Sequence, residues 1–152
     1  YWPSMFLVGA TLSMGTLITK PEFGVISLLE SSLVPLFATL SPLLVVIIFV
    51  LWAGFQTNVS SNLVTVSVVT TVLTTVYATG SIEVQAGTIA CLIGFMASLA
   101  FMTPPSMPYV AISVGSGWTN AKDAFLFGGV LFLLSAISAV VIGYPLGVFF
   151  GI

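Results

Sequence analysis

Residues 31 to 82 carry no charged side chain, yet near the middle of this stretch lies Gln56-Thr57-Asn58-Val59-Ser60-Ser61-Asn62. A hydrocarbon core about 30 Å thick needs roughly 20 apolar residues for one helical crossing. The apolar arms on either side, about Ser41 to Phe55 and about Leu63 to Ala78, are each too short for that. Two short arms meeting at a polar tip predict a re-entrant hairpin over 41–79 rather than two crossings. Irregular backbone at such depth is tolerated only where protein buries it or where it lines an aqueous cavity. The tip is therefore a candidate ligand site.

Composition sets the class. Hydrophobic residues make up 59% of the chain and charged residues 4%, with a mean hydropathy of +1.25, whereas soluble domains carry about 25% charged residues. The expected fold class is an all-α integral membrane protein. The charges (Lys20, Glu22, Glu30, Glu83, Lys122 and Asp123) fall between apolar segments and read as loop markers. Two basic residues cannot form an electrostatic footprint for nucleic acid.

The chain has no His and a single cysteine, Cys91, within an apolar run. That excludes an internal disulfide and a Cys/His zinc site, and Cys91 reads as a small buried hydrophobe. No transition metal or organic cofactor is expected. With no His and no carboxylate inside the spans, a nucleophile and its base cannot be assembled, so the chain is not expected to be an enzyme. It opens on Tyr1-Trp2-Pro3, with neither an initiator Met nor a basic leader, and is expected to be part of a longer polypeptide. One Lys at each of two loops decides no orientation in the membrane.

The apolar pattern divides into five segments. A span is expected over 2–19, closed by Lys20-Pro21-Glu22. Over 23–36, Phe23, Ile26, Leu29 and Leu33 recur at helical spacing around Glu30, Ser31 and Ser32, which predicts a short interfacial helix. The hairpin at 41–79 follows; its second arm is rich in Thr, whose hydroxyls can bond the carbonyl one turn back. Over 84–118, the stretch Met102-Thr103-Pro104-Pro105-Ser106-Met107-Pro108 removes three backbone donors within five residues, which predicts a broken helix with an unwound linker. A final span is expected over 124–151. Ser135, Ala139, Gly143, Gly147 and Gly151 form a small-residue row along it, and Ala86, Ala90, Gly94 and Ser98 form another on the first half of the broken helix. Both rows read as close helix packing. Asn58-Val59-Ser60 matches the glycosylation pattern, but its place at a buried tip argues against modification.

A hairpin tip and an unwound linker supply the parts of a midplane binding site. Half-helix N-termini favour an anion, and unwound carbonyls with half-helix C-termini suit Na⁺. Thr57, Asn58, Ser60, Ser61, Asn62 and Ser106 add neutral oxygens, and neither break contains a carboxylate for a proton relay. No Lys or Arg reaches the bilayer centre, so bound Na⁺ would supply charge that an anion needs.

These residues resemble a known family. Ser61-Asn62, preceded by Thr57 and followed by Thr65, looks like the Ser-Asn-Thr hairpin signature of the divalent-anion:sodium symporters. From Phe101-Met102 to Gly115-Ser116-Gly117 the chain resembles that family's later motif, with Pro104, Pro108, Ala111 and Ile112 coinciding. Leu63 stands where the signature has Thr, and Tyr109 and Val110 replace the Pro-Asn of the later motif. The resemblance implies the second inverted repeat of an elevator-type transporter, working as a multi-pass homodimer in the plasma membrane with an N-terminal half of the same protein. It also implies sodium-coupled uptake of a dicarboxylate, citrate or sulfate, or anion exchange. By carry-over, Thr57, Ser60, Asn62, Ser106 and Met107 would hold sodium, and Ser61, Asn62, Leu63 and Pro108 would face the substrate. Leu63 keeps open a related ion transporter of the same architecture, for arsenite, citrate or sodium/proton exchange. A non-transporting subunit would explain the small-residue rows but not two polar breaks.

Overall fold

The computed structural model describes Ser13, residues 20–24, Ser27, Leu28, Ser31, Ser32, Pro35, Phe37, and residues 39–78, 80, 85–104 and 106–151. The described residues are helical and contain no strand. Apart from Ser13, the expected span at 2–19 lies outside them. Within the expected interfacial helix, Ser27, Leu28, Ser31, Ser32 and Pro35 are helical and exposed, following a short 3₁₀ turn at Pro21–Phe23; Glu30 lies outside the described residues.

Six helical elements follow. Helix α1 is Pro42–Val59 and α2 is Asn62–Ala78, joined only by Ser60 and Ser61. Proline at the first turn of α1 fits because its missing N–H would have had no intrahelical partner. Helix α3 is Ala86–Ala97 and α4 is Pro108–Gly115, again with proline at its start. Helix α5, Ala121–Ser138, continues through a π turn at Ala139–Gly143 into α6, Tyr144–Phe150. The π turn ends at Gly143, two residues before Pro145. A proline inside an α-helix lacks a donor and crowds the carbonyl four residues back, and a widened turn relieves both. The Tyr144 N–H donates instead to Ala139 O.

Helices α1, α2 and α3 share one core. On α1 the buried positions are Val45, Val46, Phe49, Val50, Ala53, Gly54, Thr57 and Asn58, a stripe two residues wide that recurs each turn. Val69, Val72, Leu73 and Val76 of α2 meet it, and Ile89, Ile93 and Met96 of α3 close the groove between the two arms. Phe37 stacks on Phe49 at a centroid distance of 5.3 Å. The opposite faces stay apolar: Leu43, Leu51, Phe55 and most of α5 are exposed. Two helical runs, Pro42–Val59 and Ala121–Phe150, are long and apolar enough to cross a membrane. The all-helical build and these two runs are consistent with an all-α membrane protein.

The Thr-rich arm behaves as its chemistry requires. Thr71 donates to Ser67 O at 2.7 Å, and Thr75 donates to Thr71 O at 2.9 Å, so hydroxyls in the helix are satisfied locally. Two expectations change. Cys91 is exposed rather than buried, because the buried stripe of α3 runs through its neighbours Ile89, Leu92 and Ile93. Of the row Ala86, Ala90, Gly94 and Ser98, Gly94 faces open space; the π turn and α6 approach α3 at Leu92 and Thr88 instead.

At that approach a Cβ on Gly147 would lie 2.4 Å from Thr88 Cγ2, and one on Gly143 would lie 2.7 Å from Leu92 Cδ2. Thr is β-branched and stiff in a helix, whereas the end of a Leu side chain can move. Gly147→Ala is therefore expected to cost about 1–3 kcal/mol through overpacking and to lower the melting temperature in detergent. Gly143→Ala should lower it less; equal losses would contradict the packing assignment.

Candidate functional site

The polar stretch at 56–62 is not an irregular break. Helix α1 continues through Gln56, Thr57, Asn58 and Val59, and only Ser60 and Ser61 form the turn. Helix survives here because its polar groups bond back one turn. The Ser60 N–H donates to Gln56 O at 2.8 Å, and Asn58 Nδ2 donates to Gly54 O at 2.7 Å.

Asn58 is buried and ties the tip to the linker. Its Oδ1 accepts the Met102 N–H at 2.7 Å, and its backbone carbonyl accepts the Thr103 hydroxyl. This network fixes the amide orientation, because a flip would set donor against donor and acceptor against acceptor. It also explains why Asn58 cannot serve as a glycosylation acceptor: its nitrogen is enclosed and engaged.

Within the linker between α3 and α4, the Ala100 carbonyl finds its partners locally. Pro104 has no N–H to offer to Ala100 O four residues back. That carbonyl is approached instead by Ser106 Oγ at 3.2 Å and by Tyr109 Oη at 3.3 Å. Ser106 Oγ also lies 2.5 Å from Thr103 O.

Next to the Asn58 clasp, four helix ends meet. Thr57 belongs to the last turn of α1 and Ala97 is the last residue of α3; Asn62 opens α2 and Met107 is the N-cap of α4. Thr57 is fully buried, and its Oγ1 lies 2.7 Å from Ala97 O and 2.7 Å from Asn62 Oδ1. A hydroxyl has one proton and cannot serve two acceptors fully. Asn62 Nδ2 points to Met107 Sδ at 3.7 Å, a weak partner. Two amide orientations therefore fit the same heavy atoms. With Nδ2 turned to Thr57, protons alone complete the chain Asn62 to Thr57 to Ala97. With Oδ1 turned to Thr57, three oxygens converge around one proton.

The structure thus brings together Thr57, Asn62 and Met107 of the expected sodium group. Ser60 instead approaches Gln56 O at 3.1 Å and Thr65 Oγ1 at 3.2 Å, and Ser106 is folded onto its own linker. On the expected substrate side, Ser61 Oγ accepts the Val64 N–H at 3.3 Å as a helix cap. Leu63 and Pro108 are exposed and Asn62 is half-buried. Sequence reasoning missed Ala97, whose contribution is a backbone carbonyl, and the clasp through Met102. The one available signal for Ala97 was its position a few residues before the prolines.

The sequence matches no family model and no curated protein. Among the described residues, no three His, Cys, Asp or Glu side chains gather as a metal-binding group, so any cation at the tip would rest on neutral oxygens. Replacing Asn58 by Leu should strand the Met102 N–H, at a cost of about 1–3 kcal/mol. Thermal unfolding should register the loss, together with faster amide exchange in 98–107. A variant as stable as the parent would remove the clasp from the account.

Proposed function

We propose that this chain is part of a sodium-coupled secondary transporter of small divalent anions (a dicarboxylate, citrate or sulfate) of the divalent-anion:sodium symporter type. The observation that carries this reading is the Thr57 hydroxyl, buried at equal distance from Ala97 O and Asn62 Oδ1. A Na⁺ ion in contact with these oxygens replaces the missing second proton and selects the amide orientation that presents Oδ1. The C-terminal ends of α1 and α3 favour the cation, since helix C-termini carry partial negative charge. Beside it the N-terminal ends of α2 and α4 favour an anion. Binding of the two is coupled because the cation supplies the positive charge that no Lys or Arg provides.

In this reading α1 and α2 form a re-entrant hairpin, and α3 and α4 are halves of a discontinuous helix. The close join of α1 to α2 and the burial of Thr57 and Asn58 against the linker support it. The whole would act as a multi-pass homodimer in the plasma membrane, completed by an N-terminal half, with the transport domain moving as an elevator. Thr57 and Asn62 hold sodium with the Ala97 carbonyl; Ser61 and Asn62 face the anion.

Uptake of labelled succinate, citrate or sulfate by the full-length protein in proteoliposomes should require an inward sodium gradient. Asn62→Ala should abolish that uptake while the protein remains folded. Uptake driven by pH alone and indifferent to sodium would contradict the proposal and favour a proton-coupled relative of the same architecture.

A further inference from the structure

Helix α5 crosses the linker where the linker has no side chain to yield. A Cβ on Gly128 would lie 2.4 Å from Phe101 O, 2.6 Å from Phe101 C and 2.7 Å from Met102 Cα, all of them backbone atoms. The glycines at the other close contacts, Gly54, Gly143 and Gly147, meet side chains. Gly129, next along the same helix, meets only the end of Met102, at 3.9 Å. The contact at Gly128 therefore sets how near α5 comes to the Phe101–Met102 backbone, and nothing there can rotate aside.

That backbone is the one that holds the hairpin tip. The Met102 N–H donates to Asn58 Oδ1 at 2.7 Å, and Asn58 directly follows Thr57, whose hydroxyl meets Ala97 O and Asn62 Oδ1. Separating a methyl group from Phe101 O to ordinary contact distance requires a shift on the order of 1 Å, and misplacement of that size can cost as much as about a hundredfold in a functional site. We infer that Gly128 is a positioning residue: by letting α5 lie against the Phe101–Met102 backbone, it seats the linker on Asn58 and so fixes the cation group at Thr57, Asn62 and Ala97. This rests on the sodium reading above.

The test compares Gly128→Ala with Gly129→Ala in the full-length protein. Both changes are Gly→Ala in one helix, with the same gain in helix propensity; they differ in what the new methyl meets. Two quantities are read: amide exchange over 98–107, and the sodium concentration giving half-maximal uptake. Gly128→Ala is expected to speed linker exchange and to raise the half-saturating sodium concentration about tenfold or more, with Gly129→Ala matching the parent in both. If Gly128→Ala behaves as Gly129→Ala does, or speeds exchange without moving sodium affinity, the inference is overturned. A parent protein indifferent to sodium is a different result, and removes the sodium reading itself. Should Gly128→Ala not fold, Thr103→Val frees the linker from the Asn58 carbonyl without adding bulk. It must raise the half-saturating sodium concentration in the same direction, and an unchanged value overturns the link from linker position to cation affinity.

Discussion

A hydrogen-bonding group buried away from water must find its partner within the protein, and the tip region is organised by how Asn58 does so. Its amide has one donor satisfied inside α1 and one acceptor satisfied by the Met102 N–H. In a continuing helix that N–H would go to Ser98 O. Given to Asn58 instead, it holds the linker that follows α3 against the hairpin tip. The course of the linker past Asn58 and the close approach of α5 at Gly128 meet at the same Phe101–Met102 backbone.

The consequence is electrostatic. Two helix C-termini and two helix N-termini meet around Thr57, Ala97, Asn62 and Met107, so partial charges of both signs stand side by side without an ionised side chain. Water-excluded surroundings strengthen such dipoles. The buried Thr57 hydroxyl lies between Ala97 O and the Asn62 amide, where these helix ends meet. In the proposed function, this neutral site takes a small cation on its oxygens and an anion beside it.

Much of this architecture was legible from residue types. Low charge and long apolar runs gave the membrane class, and Pro104, Pro105 and Pro108 marked an interrupted helix. The polar run at 56–62 pointed to Thr57 and Asn62, which the structure places in contact, but its helical backbone was hidden. Polarity reads as loop in sequence, whereas Asn58 and Ser60 bond back along α1 and let the helix continue through Val59. The start of the linker was hidden too: it begins at Ser98, upstream of the prolines, and its Met102 N–H is taken by a residue 44 positions away in sequence. Backbone groups leave no trace in residue identity, so Ala97 O and the Phe101–Met102 seat of Gly128 could emerge only in three dimensions. Cys91 fell on the wrong face because α3 is apolar all round, which leaves periodicity little to report.

Direct binding of radiolabelled sodium to the purified protein, at constant ionic strength with potassium as the replacement salt, tests the central claim most closely. Saturable binding is expected, preserved in Thr57→Ser and weakened at least tenfold in Thr57→Val, corresponding to about 1.4 kcal/mol or more. Absence of saturable binding, or binding in Thr57→Val equal to the parent's, would contradict that claim.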